Sequence, residues 1–247
     1  MLVAAALPDI PEVHAGDDLG ALLVAAAGRL ADGDVLVVAH KIVSKAEGRT
    51  AALADVRPGE RATQLAAEHR KDPRLVELIL AESEAIVRSR PGVLICRTPH
   101  GFVCANAGID ASNAGARGEV VLLPLDPDAS ARALRARLRA LTGVAPAIVI
   151  ADSFGRAWRV GQCDVAIGIA GLAAVEDWRG RDDHAGRTLE ATIVAVADEA
   201  AAAADLTRTK DSREPAVLLR GLERHVSDAD GPGASAIVRA RDEDLFL

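Results

Sequence analysis

Apolar runs of strand length alternate along this chain with segments of helical period. Val35-Leu36-Val37-Val38-Ala39 and Ala147-Ile148-Val149-Ile150-Ala151 are continuous apolar runs, the pattern of buried strands. Met1-Leu2-Val3-Ala4-Ala5-Ala6-Leu7-Pro8 reads as a first strand. Asp17-Asp18 precedes Leu19, Leu22, Leu23 and Ala26, an N-cap and helical apolar face that end before the Asp32-Gly33-Asp34 turn. Residues 58–83 carry two amphipathic helical patterns broken at Asp72-Pro73, where proline suits a helix start, with Glu77, Glu82 and Glu84 as an exposed acidic face. Short strands are expected at 85–88, 93–97 and 102–105, with Thr98-Pro99-His100-Gly101 as a hairpin connection. A further strand is expected at 120–123. Asp128-Ala129-Ser130 then opens a helix that runs to Thr142-Gly143, with Arg132, Arg135, Arg137 and Arg139 as a solvated stripe opposite Leu134, Leu138 and Leu141. Residues 165–169 and 216–221 read as strands, separated by an Ala-rich helix from Thr188 to about Asp205. No repeat or low-complexity linker marks a boundary, so the 247 residues suit one large domain or two small, closely packed ones.

Composition narrows the function. Only five residues are aromatic and none is Tyr, so the core must be built from Ala, Val, Leu and Ile, and base stacking has few residues to work with. A net charge of −7 removes the global basic field that nucleic-acid binding needs, while leaving room for a local anion pocket. Cys96, Cys104 and Cys163 are odd in number and widely spaced, which predicts reduced thiols and a cytoplasmic protein. The amino-terminal apolar run has no basic flank and is too short to span a membrane.

Two segments concentrate chemistry. Val103-Cys104-Ala105 breaks into Asn106-Ala107-Gly108-Ile109-Asp110-Ala111-Ser112-Asn113, a small-residue loop with one carboxylate and two carboxamides. The 147–151 strand likewise leads into Asp152-Ser153-Phe154-Gly155-Arg156. Two Asp loops at strand ends suit a hard cation such as Mg²⁺, which is held by one or two carboxylates and substrate phosphates. The same residues are also good turn formers. His40-Lys41, Lys45 and Arg49 gather positive charge after the 35–39 strand, a place for phosphate or simply a solvated strand end. Arg156 or Arg159 suits either a carboxylate or phosphate fork or a structural ion pair. Cys104 reads as a small buried residue rather than a nucleophile, and Asp198-Glu199, on adjacent helix positions, as structural. There is no Gly-x-x-x-x-Gly-Lys-Ser/Thr loop and no strand-coupled Gly-x-Gly-x-x-Gly.

The ordered set Leu7-Pro8-Asp9-Ile10, Gly16-Asp17-Asp18-Leu19, Gly33-Asp34, Val43-Ser44-Lys45-Ala46-Glu47-Gly48, Asn106 to Asn113, Asp152-Ser153 with Gly155-Arg156, Ala166-Ile167-Gly168 and Val196-Ala197-Asp198-Glu199 closely resembles the coenzyme F-420-0:L-glutamate ligase family over nearly the whole chain. The resemblance implies an α+β fold, a two-part monomer of interleaved subdomains within residues 1–247, and an intertwined homodimer. It also implies GTP-dependent addition of L-glutamate to a deazaflavin coenzyme precursor, with Mg²⁺ or Mn²⁺ and, as a further candidate, K⁺. By matching positions, Leu7, Pro8, Asp9, Ile10, His40, Lys41, Lys45 and Asn113 are expected at the guanine nucleotide, and Asp110, Asp152 and Ser153 at metal. Asp110, Asp152 and Lys45 are the expected catalytic groups. Nucleic acid and membrane are not expected partners.

One departure stands out. Where relatives carry a Met-Gly-Glu or Met-Gly-Gln loop after the long helix, this chain has Arg208-Thr209-Lys210, and a protonated Lys210 is no ligand for a hard cation. Asp211 in its place, a cation on phosphate, or a single strongly held metal are the alternatives. His40-Lys41 also replaces smaller polar residues, which favours backbone contacts to the nucleotide. The competing class is a non-catalytic nucleotide- or deazaflavin-binding module of a larger enzyme.

Overall fold

The computed structural model describes residues 1–111, 118–209 and 211–244. The two apolar runs become the middle of a five-stranded sheet. Its order is β1 (Val3–Ala6), β12 (Ala216–Arg220), β2 (Val35–Ala39), β8 (Ala147–Arg156) and β9 (Arg159–Ala170). Strands β2 and β8 run parallel, with Val35 opposite Ala147, and the other neighbours are antiparallel. Being covered on both faces, the central pair has no polar alternation. One face packs Leu36, Val38, Ile148 and Ile150 beneath α1 (Leu19–Ala27), α2 (His40–Ala46) and α5 (Pro127–Thr142). The other packs Val35, Val37 and Val149 beneath α6 (Val196–Asp205), which presents Ala197, Ala200, Ala201 and Ala204 and so lies close to the sheet.

A second core is made entirely of residues between 51 and 122. Ala62, Ala66, Val76, Ile79, Leu94, Cys96, Ala107, Ile109, Val120 and Leu122 form it. They come from α3 (Glu60–His69), α4 (Pro73–Ala81), the sheet β4 (Ala85–Arg90), β5 (Val93–Arg97) and β6 (Val103–Ala105), and the pair β3 (Thr50–Ala52) with β7 (Glu119–Val121). The molecule is therefore mixed α+β, with one core on each side of the main sheet and a third in the segment between α2 and α5. Among the described residues no helix is long and apolar enough to cross a membrane.

Several expectations need correction. Residues 40–46 form helix α2 rather than a loop, although Ala39 offers its head no side-chain cap. Strand β8 does not stop at Ala151. Strand β9 pairs with it as far as Arg156, so cross-strand bonding overrides the turn chemistry of Asp-Ser-Phe-Gly, and the chain reverses only near Trp158, whose φ is 58°. The Ala-rich helix begins at Val196, because Ile193-Val194 (β11) pairs with Glu176-Asp177 (β10). Helix α5 is capped by Asp126, while Asp128 instead accepts from the N–H groups of Ile169 and Ala234. Arg135 leaves the solvated stripe: it is 4 % exposed and donates to Asp230 Oδ1 at 2.8 Å and to the carbonyls of Ser227, Asp228 and Ala145. Glu82 is no free acid either, since it pairs with Arg49 at 2.7 Å.

Candidate functional site

Helix α2 starts directly at the C-terminal end of β2, so its first residues stand where the parallel pair opens, the usual ligand position in such sheets. Those residues are His40 and Lys41. Their side chains meet the two expected aspartates one each: Lys41 Nζ pairs with Asp110 Oδ2, and His40 Nε2 lies 3.4 Å from Asp152 Oδ1. The protein thus brings both carboxylates to consecutive residues of one helix head. Asp110 and Asp152 retain 20 % and 17 % side-chain exposure, enough to reach a ligand.

Asp110 is delivered by strained backbone. Asn106, Ala107 and Gly108 all have positive φ, at 53°, 54° and 73°. Asn tolerates this conformation and Gly accepts it freely, whereas Ala107 pays the Cβ clash of about 1–2 kcal/mol. Glycine is required at 108 for a second reason, since an added Cβ would stand 2.7 Å from Leu123. Beyond this bend, Asp110 exchanges two backbone hydrogen bonds of 2.9 Å with Val121, which fixes its Cα while its side chain turns to Lys41. Strain of this kind is held where packing over-determines it, and it recurs at functional sites.

Asp152 sits inside β8, on the face that carries α2. Alternation along the strand sends Ser153 to the opposite face, where its Oγ donates to Asp164 Oδ1 at 2.5 Å and Arg208 donates to Asp164 Oδ2 at 2.5 Å. The Asp152 carboxylate and the Ser153 hydroxyl therefore do not converge, although the Ser153 N–H does donate to Asp152 Oδ1 at 2.8 Å. His40 is 1 % exposed, and its Nε2 has no aligned hydrogen bond despite the nearby carboxylate. Among the described residues its ring contact of hydrogen-bond type runs from Nδ1 to Ser44 Oγ at 3.4 Å. The buried imidazole lies behind Asp152, 3.4 Å from its carboxylate.

The expected nucleotide loop lies beside the same helix. Leu7 is buried in the core and its N–H donates to the Ala216 carbonyl. Pro8 and Asp9 are exposed, Asp9 with φ of 60°, and Ile10 packs on the core. Lys45 Nζ, 18 % exposed, pairs with Glu12, and this ammonium holds the Glu12 carboxyl below its usual range. The loop and α2 are further tied by the Gly16 N–H to the Ala46 carbonyl. Asn113 and Lys210 lie outside the described residues. Asp211 is exposed and accepts from Thr209 Oγ1 at 2.6 Å. Arg156 is spent on the Val160 carbonyl at the exposed tip of the β8–β9 arm.

Cys104 is no nucleophile. Burial pushes its thiol up to about 12, helped by the negative charge of Asp152 and by Cys96. Sequence reasoning missed a different group. Phe102 and Phe154 meet edge to face at 6.2 Å, His100 stacks on Phe102 at 5.5 Å, and Asp198 reaches across to accept the Ala166 N–H at 2.9 Å. Two of only three Phe in the chain converging next to Asp152 could not be seen without the β8–β9 register.

A family model described as F420-0:Gamma-glutamyl ligase matches residues 9–221. The chain is similar to a coenzyme F420:L-glutamate ligase of Methanopyrus kandleri, 47 % identical over 95 % of this chain and 93 % of the relative. It is also similar to proteins of the same name from Methanothermobacter thermautotrophicus, 44 % identical over 96 % and 95 %, and Halobacterium salinarum, 44 % identical over 98 % and 94 %. With the match spanning most of its length, the chain belongs to the F420-0:gamma-glutamyl ligase family.

Proposed function

We propose that the chain is a GTP-dependent amide ligase that joins L-glutamate to the deazaflavin precursor of coenzyme F-420 through an acyl phosphate, releasing GDP and phosphate. What carries this reading, beside family membership, is the meeting of Asp110 and Asp152 with Lys41 and His40 at the head of α2. Among the described residues no group of three or more His, Cys, Asp or Glu gathers. Two partly exposed carboxylates suit Mg²⁺ or Mn²⁺ bound together with a nucleotide, rather than a closed protein cage. Asp110 and Asp152 would hold that ion, which when bound neutralises charge on the β- and γ-phosphates.

The remaining residues then have definite tasks. Lys41 balances Asp110 until the nucleotide arrives. Lys45, released from the exposed Glu12, reaches the transferring phosphoryl group, and the Leu7 to Ile10 turn flanks the base through its backbone. The precursor carboxylate attacks the γ-phosphorus, GDP leaves, and the glutamate amine displaces phosphate from the acyl carbon. Positioning and electrostatics supply most of the acceleration in phosphoryl transfer. We place the protein in the cytoplasm as a homodimer. Cys96 and Cys104 face each other across β5 and β6 as free thiols, which suits a reducing compartment, and Trp158 and Val160 at the arm tip are 78 % and 98 % exposed, which suits a partner copy.

Incubation with GTP, Mg²⁺ or Mn²⁺, L-glutamate and the precursor tests the reading. GDP and a product heavier by one glutamyl unit are expected in the mass spectrum. GTP turnover that ignores glutamate and precursor overturns it in favour of a phosphohydrolase, and no turnover at all in favour of a binding module.

A further inference from the structure

A cavity of about 260 Å³ opens beside the site along the outer edge of β9. Val165, the residue directly opposite Asp152 in the β8–β9 ladder, lines it, as does Phe154, two residues beyond Asp152 on the same face. Such neighbours stand roughly 5 to 7 Å away along a sheet, so the cavity adjoins the proposed phosphoryl site. Its other walls carry charge of both signs. Arg97 enters from the hairpin, Arg239 and Asp244 from the C-terminal segment, and Asp198 from α6. Arg239 has no ion pair among the described residues, and Arg97 is held only loosely by Asp244 at 3.6 Å. Asp198 uses Oδ1 on the Ala166 N–H and leaves Oδ2 without a hydrogen-bond partner among the described residues. Burial raises the Asp198 carboxyl above the ordinary Asp value against the pull of that N–H, so it takes up a proton more readily than a surface carboxylate.

The size and the signs select among the reactants. Cavities that take drug-sized molecules run to roughly 300–1,000 Å³, so this one is too small for a three-ring coenzyme precursor or a nucleoside triphosphate. A dicarboxylic amino acid fits in bulk: Arg239, and Arg97 shared with Asp244, face its two carboxylates, Asp198 faces its ammonium, and Phe102 and Phe154 lie against its methylenes. We propose that this cavity is the L-glutamate subsite, with Arg97 and Arg239 holding the carboxylates and Asp198 accepting a proton from the ammonium. The inference rests on the ligase reading and assigns its second substrate. One ammonium proton passes to Asp198. The freed amine forms the C–N bond to the acyl carbon, the C–O bond to phosphate breaks with its electron pair on the phosphate oxygen, and the second nitrogen proton leaves with the phosphate.

Steady-state kinetics with all three substrates, on the wild type and on Arg239→Gln, Arg97→Gln and Asp198→Asn, test this. Each arginine variant should raise the KM for L-glutamate by about tenfold or more, the worth of one charge-assisted hydrogen bond, with the KM for GTP and for the precursor changed by less than about twofold. Asp198→Asn should lower kcat with glutamate yet still form hydroxamate from GTP, precursor and hydroxylamine, a nucleophile uncharged at neutral pH that needs no proton acceptor. A merely structural Asp198 would lose both reactions. Unchanged glutamate KM in both arginine variants, or a rise confined to the precursor, overturns the inference while an active wild type leaves the ligase reading intact. A wild type that forms no glutamyl product removes both.

Discussion

Replacing Gly108 by Ala tests how the strained bend serves Asp110. Two costs follow from the structure. The backbone at 108 has φ of 73°, a conformation that costs an L-residue about 1–2 kcal/mol. The new methyl would also stand 2.7 Å from Cγ and Cδ1 of the buried Leu123, and overpacking of this kind costs about 1–3 kcal/mol. Together the loss of stability should be about 2–5 kcal/mol, followed by denaturant unfolding. Relief by movement of the bend would carry Asp110 with it, and a misplacement near 1 Å costs on the order of a hundredfold in rate. Leu123→Ala removes the clash but not the φ penalty. The double variant should therefore be more stable than the sum of the single losses by about 1–3 kcal/mol, since residues in contact do not add. Strict additivity would refute the packing argument, and wild-type turnover by Gly108→Ala would refute the claim that the bend positions Asp110.

Arg135→Met should cost about 1–3 kcal/mol in unfolding experiments, because it strands the carbonyls of Ser227, Asp228 and Ala145 while the half-exposed Asp230 turns to water; a loss below about 1 kcal/mol would mean that water satisfies the carbonyls too. With its thiol at about 12, Cys104 is thiolate in only about one molecule in ten thousand at pH 8. Thiol reagents should therefore modify the partly exposed Cys163 first, and Cys104→Ala should keep its glutamate-dependent turnover; loss of turnover with an unchanged melting temperature would revive a covalent role. Lys45→Ala should depress kcat at least about tenfold while stability moves by less than about 1 kcal/mol, as suits an ion pair whose carboxylate, Glu12, is exposed. An equally large loss of stability would make that pair structural instead.

Much of the fold was legible because burial writes itself into periodicity. Val35 to Ala39 and Ala147 to Ala151 read as buried strands, Asp18 as an N-cap and Pro73 as a helix start, and each is so in the structure. The misreadings share one cause, which is long-range pairing. Asp152-Ser153-Phe154-Gly155 has the residues of a turn, but Gln162 to Val165 of β9 pair with it and keep it extended. Ile193-Val194 looked helical until Glu176-Asp177 claimed it. Arg135 looked solvated because three of the acceptors it reaches lie more than ninety residues away in sequence. At the site, the charged residues themselves were visible, while their grouping was not. Lys41 with Asp110, His40 with Asp152, and Ser153 turned away to Asp164 depend on which face each strand residue takes, and the cavity of Arg97, Arg239 and Asp198 depends on three separate segments meeting at a sheet edge.

The central claim is that Asp110 and Asp152 together hold a cation that carries the nucleotide. Mn²⁺ titration followed by electron paramagnetic resonance, with and without a non-hydrolysable GTP analogue, tests it most directly. The account predicts tight Mn²⁺ binding only with the nucleotide present, weakened at least about tenfold in both Asp110→Asn and Asp152→Asn while each variant keeps its fold. Undiminished nucleotide-dependent Mn²⁺ binding in both variants would contradict it.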